Sequence, residues 1–173
     1  PVKKTINFFI IDKDSTFNNK IGRELNRDPY YQIHTYTEIQ SFLDQYNKKK
    51  TRIKDEIDVI IIDMNFFTQD NFKERISQIK NINKTAEIIV LTDDTETEDI
   101  PVTLEKGVYS IIKKNENAIF RIENAAKGIK NLKSFLTKKR KFRIALIIFF
   151  IFMLAVFIAL MIFRTRIFEG NVF

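Results

Sequence analysis

Four residues able to do chemistry stand in one kind of place along the chain. Asp12 follows the apolar run NFFII, Asp63 follows VIII, Thr92 follows IIVL, and Lys114 closes the run that opens after Gly107. A short apolar run is what a strand covered on both faces looks like, so each of the four falls where a strand would end. Open parallel sheets bind ligands at that carboxyl edge. A carboxylate is a nucleophile only where cations offset the charge gathering on its oxygens, and the Lys114 ammonium is such a cation. Singly, a strand-end Asp or Thr is more often a helix cap or a turn former. Four in order, at the ends of successive strands, argue for one shared site.

The elements that must position them alternate between short apolar runs and longer segments of helical period, the pattern of β-α repeats that build a parallel sheet. The predicted strands are Thr5–Ile11, Tyr31–Thr35, Ile57–Ile62, Ala86–Leu91 and Val108–Lys113. Thr37 with Gln40 and Thr95 with Glu98 fit capping boxes, Pro101 places the start of a short fourth helix, and Gly107 closes it. The fold class is therefore α/β with a five-stranded parallel sheet. A last helix is predicted from about Asn115, with Ile119, Ile122, Ala126, Ile129, Leu132 and Leu136 on one stripe. Gly128 is its one weak point. No strong terminator follows, so a single helix of about 48 residues, near 70 Å, is predicted to run on from the domain. Such a strut would couple the domain to whatever holds its far end.

Taken together, Asp12, Asp63, Thr92 and Lys114 resemble the receiver domain of two-component response regulators, over about residues 4 to 130. The resemblance implies a (βα)5 fold, Mg2+ held by an acidic pair after the first strand and by the aspartate after the third, and phosphorylation of that aspartate by a histidine kinase. It makes Asp63 the candidate phosphoacceptor, Thr92 the switch hydroxyl and Lys114 the phosphoryl-binding lysine, with Lys113 in its place if the strand shifts by one. Asp12 and Asp63 become candidate metal ligands. Three departures stand against activity. Lys13 occupies the position of the second carboxylate, where an ammonium repels a divalent cation. Asp14 is a substitute ligand if the strand persists that far, and otherwise caps the first helix. The proline that usually follows the lysine is Asn115, and the aromatic expected in the fifth strand is Ile111, with Tyr109 displaced from it. Mg2+ is thus possible but doubtful. The acidic residues Asp93, Asp94, Glu96, Glu98 and Asp99 read as a solvated run, and His34 as a strand residue.

Charge is unevenly spread. Of 29 Lys and Arg and 22 Asp and Glu, residues 138 to 173 hold seven basic residues against Glu169 alone, a net of +6, leaving +1 for the rest. The basic character belongs to the tail, which argues against nucleic acid as a partner. Twenty residues, Ile144 to Phe163, carry no charge, Gly or Pro, enough to cross a hydrocarbon core of about 30 Å. Arg143 and Arg164 bound this predicted span. Lys138, Lys139, Arg140, Lys141 and Arg143 outnumber Arg164 and Arg166, so the N-terminal side is assigned to the cytoplasm and the span to the cytoplasmic (inner) membrane. The division is then a receiver-like domain at 1–130, a basic juxtamembrane helix at 131–143, the span at 144–163 and a short tail at 164–173. About ten residues follow the span, too few to fold as a sensor. Ala155 and Ala159 make a small-xxx-small pair, which simple lipid contact also explains.

The chain has no Cys and four Gly, which excludes thiol nucleophiles, zinc knuckles and iron–sulfur clusters and leaves little scope for a Gly-rich phosphate loop. Three functions compete. The favoured reading is a non-enzymatic pseudo-receiver, a structural or regulatory subunit of a membrane complex. Its contact surfaces are the face of the fourth helix, fifth strand and fifth helix, together with the span. The second is a working membrane-tethered response regulator that accepts phosphate on Asp63. The third is a haloacid-dehalogenase-like phosphatase, from the Asp-x-Asp of IIDKDSTF, which lacks the acidic pair that should follow the lysine.

Overall fold

The computed structural model describes the backbone of residues 5–48, 56–67, 71–93 and 107–169, and side chains as far as 159. The strands are β1 (Thr5–Ile11), β2 (Tyr31–Tyr36), β3 (Glu56–Asp63), β4 (Glu87–Thr92) and β5 (Val108–Lys113), each end within one residue of its predicted place. The helices are α1 (Ser15–Leu25), α2 (Ile39–Lys48), α3 (Phe72–Ile82) and α4 (Ala118–Glu169). All five strands are parallel, in the order β2-β1-β3-β4-β5. This is the α/β fold that the sequence predicts. The order reverses between β1 and β3, and that switch point is where such sheets open a crevice.

Two apolar layers hold the sheet. On one face, Ile6, Phe8 and Ile10 of β1 pack with Ile21 and Leu25 of α1 and with Ala118, Ile122, Ala126 and Ile129 of α4. On the other, Phe9 and Ile11 pack with Phe42 and Tyr46 of α2 and Phe72, Ile76 and Ile79 of α3. The alternation along β1 is the two-residue period of a strand, and here both faces are filled. On this second face, at the amino edge, lies a polar knot. Asp58 of β3 accepts from Asn7 Nδ2 (3.0 Å), the Tyr46 hydroxyl (2.9 Å) and Asn83 Nδ2 (2.9 Å), tying both helices of one face to the sheet.

Local chemistry fixes the element ends. Asp14 caps α1, its side chain accepting from the N–H groups of Thr16 (2.8 Å) and Phe17 (3.2 Å). In α2 the Phe42 N–H donates to the Glu38 carbonyl (3.3 Å), so the cap falls one residue after the predicted Thr37. Gln40 points forward to Asp44 Oδ1 (3.0 Å) instead of back to a cap. Helix α4 opens at Ala118 rather than near Asn115, because the Asn115 side chain accepts from the Asn117 N–H (3.0 Å) in a turn of its own. Thr95, Glu98 and the helix expected at Pro101 lie outside the described residues, as do Asp94, Glu96 and Asp99.

Strand β5 holds a bulge. Val108 pairs with Ile88 and Ser110 with Ile89, which leaves Tyr109 as the extra residue. Tyr109 packs on the layer shared by α1 and α4, while Ile111 packs on the α2–α3 side. Gly128 gives Tyr109 room: a Cβ there would stand 2.7 Å from its hydroxyl. Gly107, at φ +91°, starts the strand in a conformation that favours glycine.

Two compact units result, Pro1–Lys130 and Asn131–Phe173. Within the second, Leu132 (46% exposed) and Leu136 (51%) are not buried, although they continue the predicted stripe. The apolar side chains from Ile144 to Ile158 are exposed throughout. Helix α4 is long and apolar enough to cross a membrane by length and composition, with a mean hydropathy of 2.8 in its most apolar window.

Candidate functional site

Asp12 stands one residue past β1 and Asp63 ends β3, and Ile11 is opposite Ile62 in the ladder. The two carboxylates therefore meet at the switch point. Lys114 stands one residue past β5, and its N–H donates to the Thr92 carbonyl (2.8 Å), extending the β4–β5 pairing by a step. Its stem crosses the end of β4, bringing Nζ to 2.6 Å from Asp63 Oδ2 and 2.7 Å from Asp12 Oδ2. The side chains are 3%, 1% and 13% exposed for Asp63, Asp12 and Lys114, so this bridge lies out of bulk water. Lys113 ends β5 opposite Thr92.

Backbone groups hold the carboxylates in place. Asp12 Oδ1 accepts from the Asp14 N–H (2.9 Å), and Asp63 Oδ1 accepts from the Asn65 N–H (2.9 Å). Asn65 Nδ2 donates to Asp93 Oδ2 (3.2 Å). Buried Asn18 donates to the carbonyls of Asp12 (2.8 Å) and Tyr36 (3.3 Å), fastening α1 to the edge of the sheet. Burial pushes the Asp12 carboxyl above its ordinary range, outweighing the Lys114 ammonium and the Asp14 N–H, and the Asp63 charge adds to the rise. Burial opposes the Lys114 charge, but the hydrogen bonds and charges of Asp12 and Asp63 overcome it and hold its ammonium above the ordinary lysine value.

An open cavity of about 490 Å³ borders the bridge. Beyond Asp12, Asp63 and Lys114, its lining includes Lys13, Phe17, Lys20, Asn65, Asp93 and Glu116. Lys114 Nζ stands 5.3 Å from the centre of the Phe17 ring and Lys13 Nζ 5.4 Å from that of Phe66. Thr92 is 6% exposed at the end of β4 and is not part of this lining. Sequence reasoning passed over Phe17, Lys20 and Asn65. Asn65 lies two residues past Asp63, and Phe17 in the first turn of α1, spacings that only a defined strand end makes meaningful.

The residues present fit an ammonium better than a hard divalent cation. Mg2+ asks for near-octahedral oxygen ligation, but Oδ2 of both Asp12 and Asp63 faces Lys114. Asp14, the substitute ligand, has its Oδ1 committed to capping α1, and Lys13 brings positive charge to the rim. Among the described residues no group of three or more His, Asp or Glu is placed to hold a metal. After Lys114 the described chain is a turn and α4, with no strand to carry the acidic pair that a haloacid-dehalogenase-like phosphatase needs.

A parallel α/β sheet whose carboxyl edge joins two strand-end carboxylates to a strand-end ammonium defines a receiver-type module. The chain belongs to the response regulator receiver domain family, whose model matches residues 8–127. Members commonly bind Mg2+ at the acidic site, act in regulation and interact with histidine kinases and other proteins. A response regulator receiver domain from Clostridium thermocellum is 20% identical, with a TM-score of 0.60 over 76% of this chain and 98% of that one. A putative pilus assembly-related protein from Burkholderia pseudomallei is 12% identical, with a TM-score of 0.56 over 76% of this chain and 93% of its own. A response regulator from the same organism, solved with a phosphorylated aspartic acid, calcium ion and citrate, is 18% identical, with a TM-score of 0.54 over 74% and 71%. At these identities the likeness is one of fold. No curated protein matches the chain.

Proposed function

We propose that the chain is a membrane-anchored pseudo-receiver, a structural or regulatory subunit of a membrane protein complex that neither catalyses a reaction nor takes up phosphate. The observation that carries this reading is Lys13 at the rim of the acidic cavity, in the position of the second carboxylate, with Asp14 committed to capping α1. The Oδ2 atoms of Asp12 and Asp63 face the Lys114 ammonium at 2.7 and 2.6 Å, and Lys13 disfavours exchange of that cation for a divalent one. The exposed apolar stretch of α4 supports anchoring, and the basic excess before it supports a cytoplasmic domain on a single pass through the inner membrane. Contacts with other subunits fall to that stretch and to the face of β5 and the α4 residues packed on it.

The test is incubation of the full-length chain with acetyl phosphate and Mg2+, followed by intact mass. The expected result is no added phosphoryl group, with Mg2+ binding gained in Lys13→Asp. Mg2+-dependent labelling that disappears in Asp63→Asn would overturn this reading in favour of a working regulator fed by a histidine kinase. The open cavity beside Asp63 and Lys114 is what supports that second reading.

A further inference from the structure

Five cations, Lys138, Lys139, Arg140, Lys141 and Arg143, fall within six residues, and no acidic residue stands between Glu123 and Glu169. All five are on α4 and exposed. Among the described residues none of them makes an ion pair. Charges of one sign packed this closely repel, and helix neighbours at i±3 and i±4 are where relief would come from. Here those neighbours are apolar, neutral or themselves basic, so among the described residues α4 supplies no compensating anion of its own.

The geometry says which kind of anion. At about 100° per residue the five positions leave no gap around the helix wider than about 100°. An acidic partner helix or protein surface covers one side and would strand the cations on the other. A surrounding layer meets all five. Their rise along the axis is about 8 Å, close to the headgroup layer of a bilayer, roughly 5–8 Å per side. Arg143 abuts Ile144, where the apolar stretch begins. We infer that Lys138–Arg143 is a collar for anionic phospholipid headgroups, selecting acidic lipids from the surrounding bilayer through their phosphates. The inference rests on the reading that the apolar stretch crosses the membrane.

The chain has no Trp, so Phe142→Trp places a single fluorescent reporter inside the collar. The full-length variant is reconstituted into phosphatidylcholine vesicles with a minor fraction of phosphatidylglycerol, one lipid or the other being brominated. Quenching by phosphatidylglycerol is expected to show roughly fivefold enrichment over its share of the bilayer. The enrichment should fall to parity when the five cations become Gln, survive when the three Lys become Arg, and shrink in high salt. Equal quenching by the two lipids overturns the collar while leaving the span intact, and so does displacement of acidic lipid by added polyglutamate at matched charge. Quenching by neither lipid, with release of the protein by alkaline carbonate, overturns the span itself. Should the five-Gln variant fail to reconstitute, Lys138→Gln with Lys139→Gln gives the graded loss.

Discussion

Lys114 joins two carboxylates that water hardly reaches, and removing it leaves both without their cation. Breaking a buried pair by deleting one partner costs about 3–5 kcal/mol, so Lys114→Met is expected to lower stability by about that much at neutral pH. Thermal unfolding of the full-length chain, followed by tyrosine fluorescence, reads this out, and a loss under about 1 kcal/mol would mean the bridge is weakly formed. Asp12 behaves differently. Its folded-state pKa is raised above the ordinary 3.8, chiefly by burial. Its contribution is favourable below that ordinary value and is lost as pH rises through the folded one, because the unfolded chain then ionises more readily. Asp12→Asn, which can still accept from the Asp14 N–H, is expected to be at least as stable as the parent at pH 7. That advantage should vanish as pH falls towards 3.8, and an unfolding midpoint lower at pH 7 than the parent's would contradict it.

At the scale of elements, the bulge at Tyr109 and the glycine beneath it act as one fitting. Alanine in place of a mid-helix glycine ordinarily stabilises by about 1 kcal/mol, but at Gly128 the new Cβ would stand 2.7 Å from the Tyr109 hydroxyl. Gly128→Ala alone is expected to forfeit that gain. In a Tyr109→Phe background, where the next ring atom is 3.9 Å away, the same change should stabilise by about 1 kcal/mol. A double-mutant cycle on melting temperature measures the coupling, and simple additivity would rule it out.

The bulge marks the limit of what the sequence discloses. Runs such as NFFII and VIII read as strands because a sheet buried on both faces needs continuous apolar residues, and the strand-end Asp12, Asp63 and Lys114 followed from that. VYSIIK shows neither its extra residue nor the side to which Tyr109 turns, since both depend on the register with β4. Nor did Asp58 show its role. One acid inside IDVIII becomes intelligible only when Asn7, Tyr46 and Asn83 arrive from three other elements. Thr37 with Gln40 had the spacing of a capping box, but Gln40 found Asp44 instead.

For the whole molecule, the proposed anchoring rests on the uneven charge and the exposed apolar stretch. A charge at the middle of a membrane helix costs about 2.5–3.5 kcal/mol, so Phe152→Arg together with Val156→Arg should undo insertion. Expressed in cells and extracted with alkaline carbonate, the parent is expected in the pellet and this variant in the supernatant, and pelleting of both would disprove a lipid-buried span. The receiver unit has another constraint, set by a single strand. Strand β3 carries Asp58 knotted to Asn7, Tyr46 and Asn83 at one end and Asp63 clasped by Lys114 at the other. Sliding it by one residue in either direction would turn Asp58 and Asp63 away from these partners and drive one of the two into an apolar layer. The central strand is in effect bolted, its register fixed by polar partners at each end as well as by apolar packing along its length.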